Sequence, residues 1–237
     1  MRILVGYSMR SGSTLLQHIL DQHSAVRSSS DLSSFPVLAS ACLGLPCPGV
    51  RLVKPVDLMY LVPSRKLENR FDRHLWLVRD PRDSYLSTVE SGYAYLLWPK
   101  GKKRQGIDLG LIKRWKRIAG RYLQNPDKWH LIRYEDLVQD PDSTLRHLLD
   151  YLDLPSERLL PFSRFNLLKG GDYKIRKTST VNQKSKQRFL RQMSPEQMEL
   201  FASCVQEEME AFGYDPSPEV QPLEGDQGGG IQEQRAA

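Results

Sequence analysis

The sequence predicts an α/β fold, a single domain built on a P-loop-like parallel sheet flanked by helices. Three observations carry this expectation. Short apolar runs recur at Ile3–Tyr7, Arg51–Lys54, Leu75–Arg79 and Trp129–Tyr134. They are continuous rather than alternating, as strands covered on both faces require. Helical patterns stand between or after them, and the first run passes through a polar loop into "TLLQHILDQH".

The helix starts are marked by their own chemistry. Asp80-Pro81-Arg82-Asp83 offers an Asp N-cap, a proline at the first helical position and an acid in the first turn. Asp140-Pro141 repeats the device before "STLRHLLDYL", and Ser194-Pro195-Glu196-Gln197 reads as a capping box. Between Pro155 and Ser185 the chain is basic and loop-like. From Ser217 onward it is Pro, Gly, Gln and Glu with little to bury, so residues 1–216 are expected to form the domain and 217–237 a disordered tail.

At 237 residues, 40% hydrophobic and 26% charged, the chain can bury one core without splitting. No apolar run approaches the roughly 18 residues of a membrane span, and no signal peptide pattern opens the chain. Cys42, Cys47 and Cys204 form no CxxC pair and neighbour no histidine cluster, which predicts a reduced, cytoplasmic protein with no bound metal. Monomer and homodimer both remain open. The net charge is +6, and the acidic tail leaves the rest of the chain more basic still. An anionic substrate or cofactor suits that charge. Nucleic acid is the general alternative, but no RNA-binding motif or zinc-finger spacing accompanies the charge, so none is expected.

Two loops carry the chemistry. "YSMRSGSTLL", Tyr7 to Leu16, has the small residues and helix opening of a phosphate-binding loop. Aligned on Gly12, a Walker A loop would have lysine at Ser13 and glycine at Tyr7, so two of its fixed positions fail. A magnesium-nucleotide kinase needs that lysine. Arg10 supplies a cation just before the turn instead, although a tight strand-to-helix turn with a surface arginine would read the same. The second loop is "LVRDPRDSYLS". Arg79 ends a strand and Ser87 lies two turns into the next helix, where Ser84, Ser87, Thr88 and Ser91 share one hydroxyl-bearing face. An arginine and a serine so placed can close on a phosphate, whereas a capped surface helix would merely solvate them.

Two such sites without a Walker lysine resemble the PAPS-dependent sulfotransferases, whose donor has a 5′-phosphosulfate and an isolated 3′-phosphate. "RSGSTLL" is similar to the family's phosphosulfate loop, "LVRDPRDSYLS" to its 3′-phosphate motif, and "IRYEDLVQDPDSTLRHLLDYLDL" to the elements that follow. The run "RSGSTLLQHILDQHSAVR" looks closest to tyrosylprotein sulfotransferases and their bacterial relatives. The resemblance implies that Arg10, Ser11, Gly12, Ser13 and Thr14 hold the phosphosulfate, that Arg79 and Ser87 hold the 3′-phosphate, and that Tyr134 lies near the nucleotide. "KIRKTSTVNQKSKQRF" is similar to the family's PAPS-covering loop, which implies contacts from Thr178 and Arg188. PAPS would be the donor, PAP the product, with no metal required.

The acceptor hydroxyl needs a base. Tyrosylprotein enzymes have a glutamate in the stretch matching "VRSSSDLSSF", where this chain has Ser30 and Asp31. Asp31 is therefore the first candidate base, with the N-cap of the next helix as its structural alternative. The cytosolic branch has a histidine two residues after a strand-ending lysine. Here Lys54 is that lysine, Val56 stands in the histidine position, and Asp57 just beyond is the second candidate. Lys54 is a candidate contact to the bridging oxygen or the acceptor. None of the five histidines falls in a family catalytic position. Tyr93 to Arg117 holds eight Lys or Arg against Asp108 alone, either a solvated face or a rim for an anion, with Tyr93, Tyr95, Trp98 and Glu90 beside it.

The expected function is transfer of a sulfuryl group from PAPS to a hydroxyl of a carbohydrate, lipid or small alcohol, phenol or peptide tyrosine. The alternatives are a P-loop nucleoside or small-molecule kinase and a catalytically inactive PAP- or polyanion-binding module.

Overall fold

The computed structural model describes residues 1–61, 65–91, 100–159 and 183–217. At its centre five parallel strands stand in the order β2-β3-β1-β4-β7. These are β1 (Arg2–Tyr7), β2 (Val26–Ser30), β3 (Val50–Lys54), β4 (Arg73–Val78) and β7 (His130–Arg133), while β5 (Lys103–Arg104) and β6 (Ile107–Asp108) form a separate antiparallel hairpin. The helices are α1 (Ser13–Leu20), α2 (Phe35–Cys42), α3 (Arg65–Glu68), α4 (Pro81–Glu90), α5 (Leu109–Leu123), α6 (Tyr134–Gln139), α7 (Pro141–Tyr151), α8 (Phe189–Gln192) and α9 (Pro195–Ala211). Among the described residues no helix is long and apolar enough to cross a membrane.

The four expected strands are present, with ends shifted by one or two residues. The central strand explains their continuous hydrophobicity. Ile3, Val5 and Tyr7 of β1 point into one apolar cluster, with Leu16 and Ile19 of α1 and Leu145 and Leu148 of α7. Leu4 points into the other, with Trp76, Trp115, Trp129 and Phe201. Each face of the sheet thus has its own helical cover. The capping expectations hold as well. Asp80 accepts from the Arg82 amide at 2.9 Å, Asp140 from that of Ser143 at 3.1 Å, and Ser194 forms a full capping box with Gln197.

Several elements went unforeseen. Strand β2 reads "VRSSS", an edge strand with a single wholly apolar residue, and it is held by parallel pairing to β3 rather than by hydrophobicity. The β5–β6 hairpin turns on Gln105 and Gly106, both at positive φ. Helix α6 begins at Tyr134, inside the run read as strand, and α8 is a single short turn. Residues 218–237 of the proposed tail, and Thr178, Tyr93, Tyr95 and Trp98, lie outside the described residues.

Gly6 has a packing reason. A Cβ there would lie 2.2 Å from Cε3 of Trp76, at the heart of an aromatic group in which Trp76 and Trp129 meet edge-on at 5.1 Å. Gly6→Ala is expected to lower unfolding stability by about 1–3 kcal/mol in a urea titration. Gly120→Ala, on α5 with nothing within 4 Å of the new carbon, should instead gain about 0.5–1 kcal/mol.

Candidate functional site

The C-terminal tips of all five parallel strands meet on one edge of the sheet. In sheet order they lead to Asp31 after β2, Lys54 ending β3, the loop of Arg10 after β1, Arg79 after β4, and Tyr134 after β7. Strands β1 and β4 are neighbours whose connections leave in opposite directions, the position at which open α/β sheets form their crevice.

The first loop is a tight turn in which the Ser11 amide donates to the Ser8 carbonyl at 3.3 Å and the Ser11 hydroxyl to the same oxygen at 2.8 Å. Arg10 sits at φ 63, a left-handed conformation that a non-glycine residue adopts at a cost. There its Nε donates to the Ser87 hydroxyl at 3.1 Å. Gly12, at φ 93, caps α1, and a Cβ on it would lie 2.4 Å from the Tyr134 ring. Glycine is thus required twice, by conformation and by contact. Ser13 and Thr14 open α1, whose first-turn N–H groups have no acceptor within the helix.

The second loop is tied directly to the first. Arg79 is 4% exposed, its Nη1 donates to the Arg10 carbonyl at 3.2 Å, and its guanidinium lies over the Tyr134 ring at 4.7 Å. Its Nη2 donates to the carbonyl of Ser185. Its Nε is buried without a hydrogen-bond partner. The alternative of a capped surface helix with solvated serines does not hold, since Ser84 and Ser87 are buried, as are Arg82 and Asp83. Arg82 pairs with Asp80 at 2.7 Å, covers Phe189 and donates to the Asp215 carbonyl at 2.8 Å, anchoring the end of the domain.

On the other flank, Ser30 and Lys54 are paired in register, so Asp31 follows directly beside the lysine. Lys54 Nζ, on a 3% exposed side chain, is 3.2 Å from Asp31 Oδ1 and donates to the Tyr7 hydroxyl at 3.4 Å. That hydroxyl donates in turn to the Pro55 carbonyl at 2.7 Å, and burial, then the charges of Asp57 and Asp31, keep Tyr7 protonated well above its ordinary range. Asp31 remains half exposed, at φ 49. The N-cap of the following 3-10 turn, Asp31–Ser34, is Ser30, which removes the capping alternative for Asp31.

Two expected site residues are otherwise engaged. Both carboxylate oxygens of Asp57 accept from Arg114 Nη2 at 2.9 Å, with both side chains buried. Burial raises the Asp57 carboxyl and Arg114 opposes it. In this closed ion pair, removing one partner would strand the other's charge. Arg188 reaches Glu90, at the end of the helix that carries Ser87, and Gln192. In the basic segment, Arg114 is buried and Asp108 caps α5 through the Gly110 amide at 2.8 Å. Lys102, Lys103, Arg104, Lys113 and Arg117 remain exposed.

Asp83 was not singled out from the sequence, because a first-turn acid reads as a helix-dipole partner. Here its Oδ1 accepts from the Phe189 amide at 3.1 Å and its Oδ2 is 3.7 Å from Arg79. Only the fold brings the segment after residue 183 against α4.

Residues 73–158 match the sulfotransferase family. Over 111 residues the chain is 33% identical to the omega-hydroxy-beta-dihydromenaquinone-9 sulfotransferases Stf3 of Mycobacterium bovis and Mycobacterium tuberculosis, a match spanning 43% of this chain and 28% of theirs. Among solved structures, the sulfotransferase domain from the curacin biosynthetic pathway superposes with a TM-score of 0.70 at 20% identity, covering 91% of this chain and 98% of that one. The sulfotransferase domain of the Synechococcus PCC 7002 olefin synthase gives 0.64 at 18%, covering 91% and 94%. Mouse sulfotransferase SULT7A1 complexed with PAP gives 0.57 at 13%, covering 88% and 84%.

Burial pushes the Asp83 carboxyl up to about 6 against the pull of Arg79, with the charges of Asp80 and Glu135 adding to the rise. A raised carboxyl means that the folded protein holds the proton longer than the unfolded chain. Stability should therefore fall as pH rises from about 4 to 6 and level off above, by up to about 3 kcal/mol. Asp83→Asn keeps the acceptor for Phe189 and should remove that decline in thermal unfolding followed across the window.

Proposed function

Because this chain has the sulfotransferase fold and matches the sulfotransferase family over residues 73–158, we propose that it transfers a sulfuryl group from PAPS to an alcohol. The observation that carries the reading is the direct linkage of the two loops. Arg10 bonds Ser87, and Arg79 bonds the backbone of Arg10, so both cationic positions line one groove. A nucleotide with anionic groups at two ends fits such a groove, and the PAP-bound mouse relative supports the choice of donor.

In this reading the α1 N-terminus and Arg10 to Thr14 hold the phosphosulfate, while Arg79 and Ser87 hold the 3′-phosphate over Tyr134. Asp31 accepts the proton of the acceptor hydroxyl, and Lys54 holds the carboxylate toward it. The acceptor oxygen then forms a bond to sulfur as the bond from sulfur to the 5′-phosphate oxygen breaks. The electron pair leaves with that phosphate, where Arg10 and the helix N-terminus neutralise it. The group in flight carries less charge than a γ-phosphoryl, so neither the Walker lysine nor a metal ion is called for. An alcohol is favoured over a phenol because the mycobacterial relatives are named for an omega-hydroxy substrate.

In a thermal-shift assay PAP should stabilise the protein and ATP with magnesium should not. At ~100 times the dissociation constant the gain is about 2.7 kcal/mol. Arg79→Ala should weaken PAP binding by about 1.5–3 kcal/mol, and an unchanged affinity in calorimetry would sink its assignment. Asp31→Asn should leave PAP affinity intact and reduce turnover ~100-fold or more. Strong PAP binding by a protein that releases no sulfate to any alcohol would instead favour the inactive binding module.

A further inference from the structure

At the end of the sheet where the strands begin lies a polar pocket of about 270 Å³. A single water needs only roughly 10–15 Å³, so the space admits a small solute. Two chain segments build it. Arg65, Glu68 and Asn69 stand three and four residues apart on and just after α3, so they share one face ahead of β4. Arg121, Gln124 and Asn125 repeat that spacing at the end of α5, and Lys128 and Trp129 follow just before β7. The strands are parallel, so the pocket is separated from Arg79 by the length of β4, roughly 20 Å.

The lining sets one carboxylate, Glu68, against three cations. Glu68 Oε1 accepts from Arg121 Nε at 2.8 Å and Nη2 at 2.7 Å, and its Oε2 accepts from Lys128 Nζ at 3.2 Å. Burial works to raise the Glu68 carboxyl, but the bonds to Arg121 and Lys128 and then their charges hold it below its usual range. It is therefore ionised, and the pocket keeps an excess of two positive charges. The C-terminus of α5 offsets only about half of one charge. The amides add donors rather than acceptors. Gln124 Oε1 accepts from Arg121 Nη1 at 3.4 Å and Asn69 Oδ1 from Lys128 Nζ at 2.9 Å, so each carboxamide turns its oxygen to a cation and keeps its NH2 group. Arg121 and Lys128 are accounted for as partners of Glu68 and of the helix end. Arg65 is not: it is exposed, and its guanidinium makes no hydrogen bond or ion pair among the described residues.

We propose that this pocket is a second anion site, separate from the groove, that takes a sulfate or phosphate dianion, free or as the head of a small monoester. The inference goes beyond the sulfotransferase reading and does not depend on it. A tetrahedral dianion matches the excess charge and offers acceptor oxygens to donors arriving from both segments. The Arg65 fork can engage two of those oxygens at once. Both Glu68 oxygens are already bonded, so the carboxylate acts as the counter-ion that holds Arg121 and Lys128 in place. A metal cation is disfavoured by the same charge balance.

The probes are sodium sulfate and glycerol 3-phosphate, titrated calorimetrically at pH 8 with ionic strength held constant by sodium chloride, because screening alone would otherwise change the signal. Arg79→Ala removes the groove's arginine and should still bind at least one probe with an affinity close to the parent's. Adding Arg65→Gln should weaken that binding about fivefold or more, and Arg65→Glu should abolish it. Lys128→Gln withdraws a donor from the other segment and should weaken it severalfold, so the comparison does not hang on one variant. Arg65→Gln alone should melt with the parent and keep the PAP-induced thermal shift. Tighter binding of glycerol 3-phosphate assigns the site to a monoester and tighter binding of sulfate to the free ion, and either ranking supports it. Absence of binding by both probes in Arg79→Ala, or equal affinity with and without Arg65, would overturn it. Failure of PAP to shift the melting temperature would count against the sulfotransferase reading alone, because the pocket is titrated without PAP.

Discussion

The contact between Arg10 and Ser87, backed by the bond from Arg79 to the Arg10 carbonyl, is the constraint from which the rest of the site follows. It joins the loop after β1 to the helix after β4. Two loops at neighbouring strand tips are thereby tied directly to each other. The backbone strain at Arg10 is the local cost of that contact, since φ 63 is what brings its guanidinium across to α4. Tyr134 completes the arrangement from the third strand. Its ring supports Arg79 on one side and leaves room on the other only for glycine at position 12.

Charge is distributed in the site according to burial. Lys54 and Arg79 are deeply buried and offer their donors along fixed directions, while Asp31 keeps contact with solvent. Asp57, by contrast, is closed into its buried pair with Arg114.

The segment after residue 183 is held by the groove's own residues. Ser185 gives its carbonyl to Arg79, and Phe189 gives its amide to Asp83 and its ring to Arg82. The arginine proposed for the 3′-phosphate therefore also holds this chain segment.

The sequence by itself determined the strand and helix alternation, the cap residues and the two arginine-bearing loops, because each is written in a few contiguous residues with local physical causes. Tertiary structure decided the rest. Strand β2 has no apolar run to announce it, yet its register with β3 sets Asp31 against Lys54. Asp57, equally acidic on paper, is claimed by an arginine 57 positions away, and Asp83 is raised by burial under a segment more than 100 residues distant. Local chemistry is legible from neighbours in the chain. Ion pairing and desolvation depend on neighbours in space, and those exist only once the sheet has chosen its order.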